Sequence, residues 1–234
     1  MTRLLLRLGI TCVVAGLCDY AARAAVPNGT TAESLLHEML ATYQTAKSYS
    51  DNGVFLVHPN GSTALLEVRF NTWFARPMHF RFDSLEKKDY GKIPEVHLVM
   101  WSNGKDHYNW ESTSNRIEKI ADVKKAMWGF ADILHVPTLL EASYGGRVRL
   151  SDLSSPVIVG EEIFEGTDCY CVQGGWSGNS IDVWLGKSDH LVRKIKAQYA
   201  TLSDEEIHRN ITVDAKIPED VFHFVPPSPP ADGN

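Results

Sequence analysis

The chain has 234 residues, of which 44% are hydrophobic and 22% charged, and its formal net charge is −6. These proportions are those of an ordinary globular protein, so they exclude a disordered chain, a collagen-like repeat and a disulfide-dense miniprotein. Acidic residues outnumber basic ones and no run rich in Lys and Arg is present. A nucleic-acid partner held by bulk electrostatics is therefore excluded.

The first 24 residues have the pattern of a secretory signal peptide. Arg3 and Arg7 precede an apolar stretch from Leu8 to Leu17, and Ala22-Arg23-Ala24 supplies the A-x-A cleavage pattern. This stretch is much shorter than the roughly 20 residues of a membrane-spanning helix, and no later segment is apolar enough to span. We therefore expect residues 1–24 to be a signal peptide that is cleaved before Ala25, and the mature protein to be exported without a transmembrane segment.

A helix is predicted at the start of the mature chain. Thr30 and Glu33 form a T-x-x-E capping box, and an apolar stripe at helical spacing follows, so that the helix covers Thr31–Lys47. After residue 51 the apolar period changes to two, which predicts strands. The strands predicted in this half of the chain are Val54–Val57, Ala64–Phe74, His79–Phe82, Val96–Trp101 and Lys105–Trp110.

The strand pattern is interrupted once, in the middle of the chain. Asp122 can cap a second helix over Val123–Leu134, and Pro137 opens a short third helix that ends at Gly145-Gly146. The later segments again alternate and predict strands at Arg147–Leu150, Val157–Phe164, Cys169–Val172, Ile181–Leu185, Leu191–Tyr199, Ile207–Val213 and Val221–Val225.

About eleven or twelve consecutive strands with short turns predict a meandering antiparallel sheet. Because open twisted sheets rarely exceed about ten strands, we expect this sheet to be curved or to form a half-open antiparallel β-barrel. One face must be covered, and the predicted helices are the only elements available. The expected fold is therefore mainly β, with an N-terminal helix and a mid-chain helical lid. We expect a single domain over residues 25–227 and a flexible Pro-rich tail over residues 228–234.

The sequence carries little that indicates catalysis. The segment Gly175-Trp176-Ser177-Gly178 does not have the central serine of a G-x-S-x-G motif, and no phosphate-binding loop, H-E-x-x-H or dinucleotide motif is present. The nine histidines are scattered, and each is interpreted as a surface or barrel-rim residue. Glu205 and Glu206 are adjacent in a strand, so they point to opposite faces and cannot form a catalytic pair. We expect no enzyme activity, metal or cofactor; a hydrolase site assembled from distant residues is the alternative.

Cys169 and Cys171 are the only cysteines of the expected mature chain. Residues at i and i+2 of a strand point the same way, and a disulfide between them would be strained. A lone C-x-C also lacks the further ligands that a metal site needs. We interpret both as small apolar strand residues, with a labile redox pair or a metal site as the alternatives.

Aromatic residues are concentrated on the predicted strands. A small closed barrel fills its own interior, whereas a half-open barrel under movable helices can hold an apolar ligand. We predict an apolar ligand cavity lined by Phe70, Phe80, Phe82, Trp101, Trp110, Met127, Phe130 and Leu134.

Three segments resemble the LolA/LolB superfamily of periplasmic lipoprotein carriers. They are Trp73–Phe82, which contains Arg76-Pro77, the hairpin from Ser102 to Tyr108, and the closing segment Phe222–Pro227. The order of helix, strands, helical insert and strands also agrees. Within the superfamily, the chain is most similar to uncharacterised exported LolA-like proteins.

This resemblance implies a half-open barrel whose helical lid covers a hydrophobic cavity for acyl chains, and it implies a periplasmic location. It places Arg76 at the arginine that hydrogen-bonds the lid and holds it shut. The expected function is that of a binding protein for a lipid, a lipoprotein acyl chain or a similar apolar ligand. The alternative is a protein-interaction or envelope-stress sensory module on the same fold, with an envelope protein as its partner.

The cleavage site is directly testable. We expect the exported protein to begin at Ala25 and to carry no lipid on Cys18, because Leu17 is a poor match for the small residue that precedes a lipid-modified cysteine. Intact mass spectrometry of the protein purified from the periplasm measures both properties. A mass that includes a diacylglycerol group on Cys18 contradicts the prediction.

Overall fold

Eleven antiparallel strands form a single sheet. The structure, a computed structural model, describes residues 29–59, 65–88, 92–121, 135–144 and 149–227. The strands are β1 (Ser48–Pro59), β2 (Leu66–Ala75), β3 (His79–Lys88), β4 (Val96–Asn103), β5 (His107–Glu111), β6 (Arg116–Ile120), β7 (Ser154–Phe164), β8 (Thr167–Trp176), β9 (Asn179–Gly186), β10 (Val192–Gln198) and β11 (Leu202–Val213). The predicted signal peptide, the predicted helix at Val123–Leu134 and the predicted tail at 228–234 lie outside the described residues.

The strand order is β6-β5-β4-β3-β2-β1-β11-β10-β9-β8-β7. Each half of the sheet is a meander of neighbouring hairpins, which is what consecutive strands with short turns predict. The two halves meet where β1 pairs with β11, and we call this pairing the seam. Gly53 lies opposite His208 there, and Phe55 lies opposite Glu206. The seam therefore joins residues that are far apart in sequence at the middle of the sheet.

Among the described strands, β6 and β7 are the two edges, and they do not pair with each other. The predicted antiparallel, mainly β fold is confirmed, with an open sheet; closure into a barrel is not observed. Strands β6 and β7 thus lie at opposite edges of the sheet, and one connection joins them. That connection contains helix α2 (His135–Leu140).

Helix α1 (Ala32–Thr45) precedes the sheet and packs on the same face as α2. Its capping residue is Thr31, one position after the predicted Thr30, and the partner in the capping box is Ser34. The Thr31 hydroxyl accepts from the Ser34 amide at 3.1 Å, and the Ser34 hydroxyl accepts from the Thr31 amide at 3.1 Å. Two amides that the helix leaves unpaired are satisfied in this way. The predicted apolar stripe is buried, through Leu35, Leu36, Met39 and Tyr43.

The helices define an inner face of the sheet, which they cover, and an outer face. One core cluster joins α1 and α2 to inner-face residues such as Phe74, Phe80 and Val183. A second, smaller cluster on the outer face consists of Val99, Trp101 and Trp110, with Tyr108 and Phe224 packed against it. The sheet thus separates two apolar clusters of unequal size.

Three segments differ from the sequence prediction. Val221–Val225 is not a strand, because Glu219–Phe222 forms a 3₁₀ turn and the chain after it lies against the outer cluster without strand pairing. The described part of Arg147–Leu150 is also not a strand, and Leu150–Asp152 forms a 3₁₀ turn. Strand β6 was missed because its five residues are mostly exposed and carry only two apolar side chains. No helix among the described residues is long and apolar enough to cross a bilayer.

Gly53 is the one residue of β1 where a side chain has no room on the inner face. A Cβ atom built at this position meets the Ile207 carbonyl oxygen and the ring of Phe70. The Phe70 ring therefore lies over the backbone of β1, with its centroid 5.6 Å from that of His208. Glycine at this position brings an aromatic ring of β2 up to the seam.

We expect Gly53→Ala to lower the free energy of unfolding by roughly 1–3 kcal/mol, because a methyl group overpacks the contact between Phe70 and the seam. Chemical denaturation measures the change. Gly160→Ala is the matched control, since a Cβ atom there meets nothing within 4 Å, and its effect should stay within about 0.5 kcal/mol. Equal changes in the free energy of unfolding for the two substitutions would show that the close approach of Phe70 at Gly53 does not affect stability.

Candidate functional site

Three of the predicted cavity residues form an aromatic floor on the inner face. Phe70, Phe80 and Phe82 are each 3% exposed or less and belong to the main core. The rings of Phe70 and Phe82 lie 5.5 Å apart and stacked, while the ring of Tyr144, just after α2, lies 4.9 Å from Phe80. Tyr144, which belongs to the connection between β6 and β7, therefore covers part of the aromatic floor.

Trp101 and Trp110 do not belong to this floor, so their assignment to the cavity was wrong. Trp101 is the cross-strand partner of Arg81, which lies between Phe80 and Phe82 in β3 and points to the opposite face. The two tryptophans pack in the outer cluster, where the ring of Phe224 lies 5.2 Å from Trp101 and 5.1 Å from Trp110. The remaining predicted cavity residues, Met127, Phe130 and Leu134, lie outside the described residues.

Arg76 follows β2 and binds the ends of both helices. Its Nε donates to the Ala46 carbonyl at 2.9 Å, and its Nη2 donates to the carbonyls of Gln44 at 2.7 Å and Leu140 at 3.0 Å. The last carbonyls of a helix have no partner within the helix and carry the negative end of its dipole. Neither helix has a basic residue in its last turn. One guanidinium therefore caps α1 and α2 together.

A line of ionisable side chains runs through the centre of the inner face. We call it the buried ionic chain: Asp51 of β1, His208 and Glu206 of β11, and His135 at the start of α2. His208 Nδ1 lies 2.5 Å from Asp51 Oδ2, and Glu206 Oε2 lies 2.5 Å from His135 Nδ1. His208 Nε2 approaches Glu206 Oε1 to 2.9 Å, outside hydrogen-bond geometry. Tyr49 extends the line by donating its hydroxyl to Asp51 at 2.8 Å.

The charges of the four groups in the buried ionic chain depend on one another because these groups are almost completely buried. Burial by itself lowers the pKa of His208, but the Glu206 carboxylate and the hydrogen bond to Asp51 outweigh it and raise the pKa to about 10. Burial raises the pKa of Glu206, but the charges of His135 and His208 outweigh it and hold the pKa below its ordinary value. His208 is therefore a cation held between two carboxylates, in an interior where an unpaired charge would be costly.

The buried ionic chain is what the sequence interpretation missed. His135 and His208 were interpreted as surface or rim residues, yet they are 6% and 2% exposed. No local pattern indicates their pairing, because Asp51 and His208 are 157 positions apart and meet only through the seam. Glu205 and Glu206 do point to opposite faces, as predicted: Glu205 pairs with Lys194 at 2.7 Å, while Glu206 is buried.

The described residues contain no cluster of His, Cys, Asp and Glu that could hold a metal ion. Cys169 and Cys171 are both free and buried, and burial raises the pKa of each thiol. A raised pKa disfavours the reactive thiolate. The interpretation of these cysteines as small strand residues agrees with this environment.

Polar atoms without partners occur on the inner face beside the aromatic floor. The Tyr144 hydroxyl, His107 Nε2 and Asn109 Oδ1 are buried and have no hydrogen-bond partner within the part of the chain that the structure describes. His107 and Asn109 lie opposite Ser102 and Met100, which in turn pair with Phe80 and Phe82, so both share the face of the floor. By contrast, a groove of about 500 Å³ on the outer face is lined mostly by polar and charged side chains such as Asn52, Arg69 and Asn71.

The fold is LolA-like, as the resemblance of the sequence predicted. LprF from Mycobacterium bovis is 13% identical and superimposes with a TM-score of 0.52, over 80% of this chain and 94% of that one. The lipoprotein LppX from Mycobacterium tuberculosis is 9% identical, with a TM-score of 0.49 over 80% of this chain and 97% of that one. MucB from Pseudomonas aeruginosa, solved in complex with MucA, is 14% identical, with a TM-score of 0.47 over 83% of this chain and 61% of that one.

At the level of sequence, residues 139–231 match a family described as "Predicted periplasmic protein (DUF2092)". The matched region begins within α2 and includes β7 to β11, and thus Glu206 and His208 of the buried ionic chain. No curated protein matches the chain. The description of this family agrees with the periplasmic location that the sequence predicted.

The raised pKa of His208 predicts a pH dependence of stability. A histidine whose pKa is about 10 in the folded protein and near 6.5 in the unfolded chain stabilises the fold fully below pH 6.5. This contribution is lost as pH rises from 6.5 towards 10, with a slope of up to about 1.4 kcal/mol per pH unit for one proton. Denaturation measured across this range should show the decline, and His223→Gln, at an exposed histidine, should leave it unchanged.

The imidazole of His208 can also be followed by NMR without any substitution. We expect its signals to remain those of the protonated ring until well above pH 8. Titration of this ring near pH 6.5 would contradict the assignment of a buried cation.

Proposed function

We propose that this protein is a non-enzymatic periplasmic binding protein whose ligand site is the aromatic floor beneath α2. We call α2 the cover, because it packs on the inner face. The observation that carries the proposal is that Arg76 joins the end of α2 to the end of α1 through main-chain carbonyls alone. These bonds can break and re-form without disturbing the sheet. The ligand site is then reached when the cover moves away.

The chemistry of the inner face indicates an amphiphilic ligand. Phe70, Phe80 and Phe82 offer aromatic surface to an acyl chain once the cover is displaced. The unpartnered Tyr144 hydroxyl, His107 nitrogen and Asn109 oxygen offer hydrogen bonds to a polar end group. Buried polar atoms without partners are costly in a folded protein. A ligand with an apolar chain and a polar end, such as a lipid or a lipoprotein acyl group, would pack its chain against the aromatic rings and hydrogen-bond the unpartnered polar atoms.

The closed form accounts for the burial of the aromatic floor. An apolar surface of this kind would be exposed to water if the cover were permanently open, and exposure would cost about 25 cal/mol for each Å². The cover therefore rests on the floor in the absence of ligand. Binding then requires a less populated open form, and its affinity is reduced by the fraction of molecules that are open.

Binding of a fluorescent fatty acid tests the proposal. We expect the wild-type protein to bind the probe saturably, with a dissociation constant no weaker than tens of micromolar, which corresponds to about −6 to −7 kcal/mol. A lysolipid should displace it. Binding that does not saturate at these concentrations contradicts the proposed function.

Arg76→Leu should open the cover. We expect faster hydrogen exchange in residues 135–140 with unchanged exchange in β3 and β9, because charge-assisted bonds worth roughly 1.5–3 kcal/mol each are lost. Apparent affinity for the fatty acid should rise at least threefold, since more molecules are open. Arg69→Leu is the matched control: Arg69 is an exposed arginine of the same hairpin, ion-paired to Glu67 and Glu95. Identical exchange in the two variants would remove Arg76 from the site.

The second candidate is a protein-interaction module, and one feature of the sheet favours it. Edge strand β7 exposes Ile163 and Val157 to 70% and 51%, and an unpaired edge can accept a strand from a partner protein. If the fatty acid fails to bind, Ile163→Lys in β7 becomes the informative variant. It should abolish association with an envelope partner and leave the stability of the fold within about 0.5 kcal/mol.

A further inference from the structure

Helix α2 is attached to the sheet at its first residue as well as at its last. Arg76 binds the carbonyl of Leu140 at the C-terminal end. At the N-terminal end, His135 Nδ1 lies 2.5 Å from Glu206 Oε2, and both side chains are buried. The two attachments differ in kind, since the first uses a main-chain carbonyl and an exposed arginine, while the second joins two buried side chains.

Glu206 lies at the point where the two halves of the sheet meet. It is opposite Phe55 of β1 across the seam and opposite Ile195 of β10 on its other side. His135 is the one ionisable residue of α2, and the rest of the buried surface of this helix is apolar: Val136, Pro137, Leu139 and Leu140. The His135–Glu206 contact therefore fixes where the cover begins relative to the centre of the sheet.

The His135–Glu206 contact is also coupled electrostatically to strands β1 and β11. His208 holds Glu206 on one side and Asp51 on the other. If His135 were removed, His208 would be the remaining partner of the Glu206 carboxylate, and its Nε2 is not in hydrogen-bond geometry with that group. Displacing α2 therefore costs more than the burial of its apolar residues alone, because a buried carboxylate loses its best hydrogen bond.

The arrangement differs from that of a metal site. Metal ligands converge on a common point, whereas the buried ionic chain is a line in which each group contacts the next, and no metal-binding cluster occurs among the described residues.

We propose that His135 and Glu206 are positioning residues that form a second latch of the cover, so that ligand entry and release require this buried contact and the Arg76 contact to break together. This inference rests on the proposed function, because it describes how that site opens. The cover then behaves as a single element held at both ends, and weakening either end increases the open fraction.

Hydrogen exchange without ligand tests the latch. We expect Glu206→Gln to increase exchange of residues 135–140 at least tenfold, with exchange in β3 and β9 unchanged. His135→Gln should have a similar effect. The double variant should exchange no faster than either single variant, because both remove the same contact. Glu205→Gln is the matched control, since Glu205 is the neighbouring carboxylate on the outer face and pairs with Lys194.

Two results would overturn the latch. Unchanged exchange in residues 135–140 would show that the contact does not hold the cover. Exchange that rises equally in α2, β1 and β11 would show that Glu206 supports the sheet and has no separate effect on the cover. Additive effects of the two single variants would also count against it, because independent contributions do not describe one shared contact.

The rate at which a bound fluorescent fatty acid dissociates distinguishes this inference from the proposed function. If the fatty acid binds, Glu206→Gln should release it at least fivefold faster, and Glu205→Gln should leave the rate unchanged; an unchanged rate in Glu206→Gln overturns the latch and leaves the proposed function standing. If exchange in α2 responds as expected but no fatty acid binds, the latch stands and the proposed function fails.

Discussion

The path of the chain from one edge of the sheet to the other is the constraint on which the rest of the structure depends. Strands β6 and β7 lie at opposite edges of the sheet, and the connection between them contains helix α2, which packs on the inner face. The connection therefore helps to cover that face. The apolar inner face, the cover helix α2 and the need for contacts that hold this helix all follow from that single topological fact.

The contacts that hold the cover are polar, whereas the surface beneath it is aromatic. Apolar packing is non-directional and would allow α2 to slide across the floor. Arg76 and the buried ionic chain supply directional contacts at the two ends of the helix, which fix its position. The buried charges are costly, and their mutual pairing offsets much of that cost.

The sequence predicted the features that depend on local pattern, and it failed where tertiary register decides. Phe80 and Phe82 share a face because they are two residues apart in one strand. Whether Trp101 shares that face depends on the register between β3 and β4, because a shift of one residue moves a side chain to the other face. The sequence did not give this register, and Trp101 was assigned to the wrong face. His135 and Glu206 gave no signal, because their contact depends on the seam and on the crossing connection. Arg76 was found through resemblance, and no spacing rule indicated it.

The seam also imposes an order on folding. Its partners are separated by up to 164 positions, from Tyr49 to Val213, whereas the other strand pairs are formed by neighbouring hairpins. Closing so long a loop is entropically slow, so the two meanders are expected to form before they join. During that interval each half exposes the strand that later becomes the middle of the sheet, with Phe55 of β1 unprotected. A chain that is still folding is thus most prone to intermolecular strand pairing through β1 and β11, the strands that later lie at its centre.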